Sequence, residues 1–94
     1  MAEEETALPP IRIRPGALAW TDVGDRIVAL DVEASEYVEL NPTAAAILRA
    51  LEGGAREEDL VAALEQEFEV DHQTACVGVG DFLQICRERG WLSE

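Results

Sequence analysis

Lysine is absent from this 94-residue chain: all seven cations are arginine, set against twenty carboxylates, for a formal net charge of −13. The arginines stand singly or in pairs, as at Arg12/Arg14 and Arg87/Arg89. Phosphate backbones and anionic headgroups are held by clustered positive charge, so nucleic acid and membrane surfaces are excluded as partners. The acidity serves solubility and leaves open steering toward a cationic partner. Cysteine is scarce too. Cys76 and Cys86 lie ten apart in what reads as one helix, or about 15 Å at 1.5 Å per residue. A disulfide needs Cα atoms within about 7 Å, so the two cannot pair. With no second cysteine or histidine expected beside either, they make no soft metal site and read as small core residues. No apolar run reaches the roughly 20 residues needed to span a bilayer. The chain opens on Glu3-Glu4-Glu5 rather than a basic-then-apolar signal, and a cytoplasmic location is expected.

The residues of catalysis are as thin. His72 is the sole histidine; it lies beside a helix start, with no serine or cysteine at a convincing spacing. Gly78 and Gly80 lack the following lysine and preceding strand of a phosphate loop. Most carboxylates fall on polar helix faces. The chain is therefore read as no enzyme, with neither cofactor nor metal.

What is present is a change of hydrophobic period. Residues 1–16 are acidic and then proline-containing, and read as a flexible tail with a possible extended arm at Ile11–Arg14, stopped by Pro15-Gly16; residues 17–94 form the one domain that this length supports. Leu18–Val23 and Arg26–Asp31 alternate as strands about a Gly24-Asp25 turn. After a turn at residues 33–36, Tyr37–Leu40 is a third strand, and the chain order suggests a meander with that strand on an edge, its N–H and C=O groups unpaired. Asn41-Pro42 then caps a helix running to about Glu52, stopped by Gly53-Gly54. A second helix spans about Arg56 to Glu67, with Leu60, Ala63, Leu64 and Phe68 buried. A third runs from an Asp71 cap to Gly90, its core stripe being Ala75, Val79, Phe82, Leu83 and Cys86. Trp91-Leu92 folds back as an apolar plug. Gly78 and Gly80 each cost the third helix about 1 kcal/mol relative to alanine, which suggests a late helix start or a close approach by a neighbouring backbone.

A three-stranded antiparallel sheet followed by three helices is an α+β, winged helix-turn-helix-like fold. A DNA-binding role would place the third helix in a major groove, but that helix is apolar in its first half and carries three carboxylates against two arginines. Peptide binding suits it better: an edge strand accepts another strand through main-chain hydrogen bonds, and adjacent pockets select side chains.

The run Tyr37-Val-Glu-Leu-Asn-Pro-Thr-Ala, then Ile47-Leu48, Gly53-Gly54, Leu60, Leu64 and Phe82-Leu83…Arg89-Gly90-Trp91-Leu92 resembles the PqqD family, the precursor recognition elements of ribosomally made, modified peptides. The segment Trp20–Asp31 looks most like the stand-alone members of lasso peptide pathways. The resemblance implies a non-catalytic adaptor that binds a precursor's leader and presents it to a transglutaminase-like cysteine protease, with the lasso cyclase as a further contact. It implies that the leader, often carrying a Tyr-x-x-Pro element, adds as a strand to Glu36, Tyr37, Val38, Glu39 and Leu40. Ala75, Cys76, Val79, Phe82, Leu83 and Arg87 of the third helix would line the other wall. Gly78 stands where the family tends to have an aspartate. A PqqD-type chaperone for a radical SAM enzyme would share the binding mode with different partners.

Overall fold

In the computed structural model, which describes residues 9–93, a short strand β1 (Arg12–Ile13) precedes a meander of β2 (Leu18–Val23), β3 (Arg26–Asp31) and β4 (Glu36–Leu40). Helices α1 (Pro42–Glu52), α2 (Glu57–Phe68) and α3 (His72–Arg89) follow, and β5 (Leu92–Ser93) closes the chain. The three-stranded sheet is antiparallel in the order β2-β3-β4, and the whole is the expected α+β arrangement, compatible with a winged helix-turn-helix. Gly24, at φ +65°, opens the two-residue turn between β2 and β3, a position that glycine takes without steric cost.

One inner sheet face, with Ile27, Ala29 and Leu40, meets Ala45, Ile47, Leu48 and Leu51 of α1, Leu60, Val61 and Leu64 of α2, and Ala75, Val79, Leu83 and Cys86 of α3 in a single buried cluster. The strand-to-helix junction is built as its residues suggest. Asn41 leaves the sheet in extended geometry, its side chain accepts from the Ala44 N–H at 2.9 Å, and Pro42 takes the first turn.

Residues 1–8 of the expected tail lie outside the described residues. Ile11 trades two main-chain hydrogen bonds with Ala55, at 2.7 and 3.0 Å, and β1 pairs antiparallel with β5 in a second, two-stranded sheet. Arg12 donates to the Gly53 carbonyl at the end of α1, and Arg14 to the Gly90 carbonyl at the end of α3. Each cation thus sits at the negative pole of a helix. Between these ends Trp91, 1% exposed, is fixed by its indole N–H, which donates to Asp31 at 2.9 Å.

The glycines of α3 call for a correction. The helix is unbroken from His72 to Arg89, capped by Asp71 at its start and by left-handed Gly90 at its end, so there is no late start. Nor does a backbone crowd either position. A Cβ at Gly78 would meet only Leu64 Cδ1, at 3.7 Å, and one at Gly80 would meet nothing within 4 Å.

Candidate peptide groove

The edge of β4 has a definite polarity. The Val32 N–H donates to the Ala17 carbonyl at 3.0 Å, so the even-numbered groups of β3 face β2 and, by alternation, those of Ile27, Ala29 and Asp31 face β4. Their partners are Leu40, Val38 and Glu36. The N–H and C=O groups of Tyr37 and Glu39 therefore point out of the sheet, toward an edge that no described strand covers. The Val38 N–H does not: it belongs to the β3–β4 ladder.

Alongside this edge runs α3, in the opposite sense. At one end Arg89 Nη1 meets Glu36 Oε1 at 3.3 Å. At the other, Asn41, Thr43, Ala44 and Ile47 join Leu64 and the α3 residues Gly78, Asp81, Phe82 and Ile85 around a recess of about 230 Å³. Gly78, Asp81, Phe82, Ile85 and Arg89 recur at helical spacing, so a single flank of α3 forms the wall. The recess has an apolar floor, with Asp81, Asn41 and Thr43 as its polar members. Ile85 is 45% exposed and Tyr37 77% exposed, large apolar surface with nothing against it among the described residues.

The wall is held in place by a buried carboxylate. Asp31, at the end of β3, is 4% exposed and accepts from Trp91 Nε1 and from the Ala34 N–H at 3.1 Å. These two hydrogen bonds, the indole first, hold its carboxyl below the ordinary aspartate range against the opposing effect of burial. The Arg89 guanidinium stacks over the Trp91 ring at 5.6 Å while reaching Glu36, so β3, β4 and the end of α3 are locked together.

Of the expected site residues, Glu36 to Leu40 form the edge strand, and Phe82 lines the recess. Ala75, Val79 and Leu83 are at most 1% exposed; they are core under the wall and offer no surface to a partner. Cys76 and Arg87 are exposed but stand on the other flank. Nine residues separate Cys76 from Ile85, a half-turn of the helix wheel. The recess is also lined by Gly78, Asp81, Ile85, Asn41, Thr43, Ala44, Ile47 and Leu64, none of which the sequence reading names as a site residue. The one signal for these residues in the sequence is Ile85, an isoleucine bordering the core stripe.

The opposite flank corrects a second expectation. His72 does have a cysteine at a meaningful spacing: Cys76, four residues on, has its Sγ 3.4 Å from His72 Nε2. His72 Nδ1 in turn lies 2.8 Å from Glu65 Oε2 of α2.

Among known proteins, the family model described as "Coenzyme PQQ synthesis protein D (PqqD)" matches residues 26–92. A solved structure described as "TbiB1 in Complex with the TbiA(beta) Leader Peptide" is similar at 28% identity and a TM-score of 0.77, covering 87% of this chain and 94% of that one. Another, "Lasso peptide synthetase B1 complexed with the leader peptide", is also 28% identical, with a TM-score of 0.75 over 90% of this chain and 99% of that one. No curated protein matches the sequence. Among the described residues no helix is long and apolar enough to cross a membrane.

Proposed function

The chain belongs to the PqqD family, and from that premise we propose that it is a non-catalytic recognition protein for the leader segment of a lasso peptide precursor. The observation that carries the reading is the open β4 edge. Tyr37 and Glu39 present unpaired main-chain groups beside a recess with an apolar floor, in a fold that two relatives share in complexes with leader peptides. An extended leader gains its register from hydrogen bonds to Tyr37 and Glu39, and its selectivity from a side chain seated among Ala44, Ile47, Phe82 and Ile85. The domain then serves as an adaptor, offering the bound precursor to a leader peptidase of the transglutaminase-like cysteine protease class and, downstream, to the lasso cyclase.

The test separates ladder from edge. Replacing Glu39 by proline removes an N–H that faces the edge, whereas replacing Val38 by proline removes one that the sheet itself uses. Titration calorimetry uses a synthetic leader peptide of a lasso precursor, chosen as one that the wild-type protein binds. Glu39→Pro is expected to keep the far-ultraviolet circular dichroism of the wild type and to lose at least about tenfold in affinity, the worth of one good hydrogen bond. Val38→Pro is expected to unfold at lower urea. Unchanged affinity in folded Glu39→Pro removes strand addition at this edge. Delivery is tested apart, by whether the cognate peptidase cleaves full precursor faster when this protein is added.

A further inference from the structure

The flank of α3 that faces away from the groove carries the elements of an activated thiol. Cys76 and His72 are one helical turn apart, so their side chains lie over one another. Sγ is 3.4 Å from Nε2, and Glu65, reaching from α2, meets Nδ1 at 2.8 Å. The carboxylate orients the ring. With a proton on Nδ1 held toward Glu65, the lone pair of Nε2 is left facing the thiol. This is the arrangement in which a base takes a thiol proton while a third group steadies the resulting imidazolium. Cys76 is exposed, as is His72, so a small reagent can reach the sulfur. Cys76 and His72 do not line the recess beside β4. Among the described residues no group of three or more His, Cys, Asp or Glu is arranged to hold a metal ion.

We infer that Cys76 is a nucleophilic thiol that undergoes exchange with low-molecular-weight disulfides, neutral or cationic ones in preference to anionic ones. The first half of the inference rests on the Glu65–His72–Cys76 relay, the second on the net charge of −13, which repels anionic reagents. In the exchange, the Cys76 S–H gives its proton to His72 Nε2, and the thiolate attacks one sulfur of the disulfide. The reagent's S–S bond breaks as the bond to Cys76 forms. The displaced thiolate leaves as a thiol, taking the proton back from the imidazolium. Cys76 is oxidised to a mixed disulfide, half of the reagent is reduced to free thiol, and no other reactant is consumed. The modification lands a half-turn of helix away from Ile85, so it marks the protein without filling the groove, and the inference stands independently of the leader reading.

The molecule carries its own control. Cys86 is 0% exposed and its thiol is pushed up to about 12 by burial, so it stays inert while the domain is folded. The experiment follows dithiodipyridine, a neutral aromatic disulfide, with the wild-type protein at pH 7, and peptide mass mapping assigns the modified residue. One fast equivalent is expected in the wild type, mapped to Cys76 and missing from Cys76→Ser. His72→Gln, which removes the base beside the sulfur, is expected to slow Cys76 by about tenfold. Glu65→Gln, which keeps a partner for the ring but not the charge, is expected to slow it by about threefold. A Cys76 rate unchanged in folded His72→Gln would mean a merely exposed thiol and overturns the activation. A dicarboxylate aromatic disulfide, normalised to its rate with a free small thiol, is expected to react about tenfold more slowly than the neutral one; equal rates overturn the stated preference.

Discussion

The two flanks of α3 are built from the same helix and do different physical work. One flank, with Gly78, Asp81, Phe82, Ile85 and Arg89, is set against the open edge of β4 and bounds a recess with an apolar floor. The other, with His72 and Cys76, faces water and joins α2 through Glu65. Between them runs the core stripe, whose Val79, Leu83 and Cys86 are wholly buried. A helix laid on a core has two borders, and hydropathy alone ranks them equally. What separates them is the neighbour that each border meets. The groove border meets α1 and Leu64 around the recess and, at Arg89, the start of the open β4 strand; the other meets α2 and solvent.

The comparison is broken most severely by moving charge across it. Ile85→Asp puts a carboxylate at the mouth of the recess, close to Asp81. Leader affinity is expected to fall by at least about 2 kcal/mol, or roughly thirtyfold, with little change in stability because Ile85 is already 45% exposed. Arg87→Ala, two residues on but about 160° around the helix wheel, is expected to change affinity by less than about threefold. Calorimetry on both variants checks this, and equal losses would show that the wall has been assigned to the wrong flank.

A smaller effect comes from loosening the lock that sets α3 against β4. Trp91→Phe keeps an aromatic ring but loses the second ring of the indole and the N–H from which Asp31 accepts. A buried acceptor left without its donor costs about 1–3 kcal/mol, read as a lower urea midpoint at neutral pH. The pH dependence has a definite sign. The folded-state pKa of Asp31 lies below the ordinary aspartate value, so its contribution is fully present above that value and is lost as pH falls through the folded pKa. The stability difference between wild type and Trp91→Phe should therefore narrow on acidification below about pH 4. A gap that holds constant into acid would mean that the indole contributes by packing alone.

Much of this architecture is legible in the residues. The alternation of Arg26–Asp31, the Asn41-Pro42 cap and the Asp71 and Gly90 ends of α3 are local signals, and each element begins or ends where its chemistry says. The edge position of β4 follows from the chain order. Three things were not legible. The β1–β5 pairing joins residues some eighty positions apart, and no local pattern in Ile11–Arg14 names its partner. The flank of α3 that borders the recess depends on how the helix is rotated over the sheet, and no local pattern separates Cys76 and Arg87, which stand away from the recess, from Ile85, which lines it. Ala75, Val79 and Leu83 are core, and an apolar stripe looks alike in the sequence whether it faces a core or a ligand. The His72–Cys76 spacing, by contrast, was there to be read: four residues within a helix is contact distance.

The finest distinction between the flanks lies in the two glycines, which are 200° apart on the wheel and fall one on each side. Alanine is favoured over glycine in a helix by about 1 kcal/mol, and neither position is crowded: a Cβ at Gly80 meets nothing within 4 Å, and one at Gly78 meets Leu64 at an ordinary 3.7 Å. Both Gly78→Ala and Gly80→Ala are therefore expected to stabilise the domain, each by up to about 1 kcal/mol in urea unfolding. Their effects on the leader should differ. Gly80 lies off the recess, and its alanine variant should bind as the wild type does. Gly78 lines the recess, so a methyl there takes space from the seated side chain, and affinity should fall while stability rises. That opposition gives the glycine a physical reason: helix stability is given up at Gly78 to keep the recess open. If Gly78→Ala gains stability and binds equally well, the recess has room to spare, and the glycine is not there for the ligand.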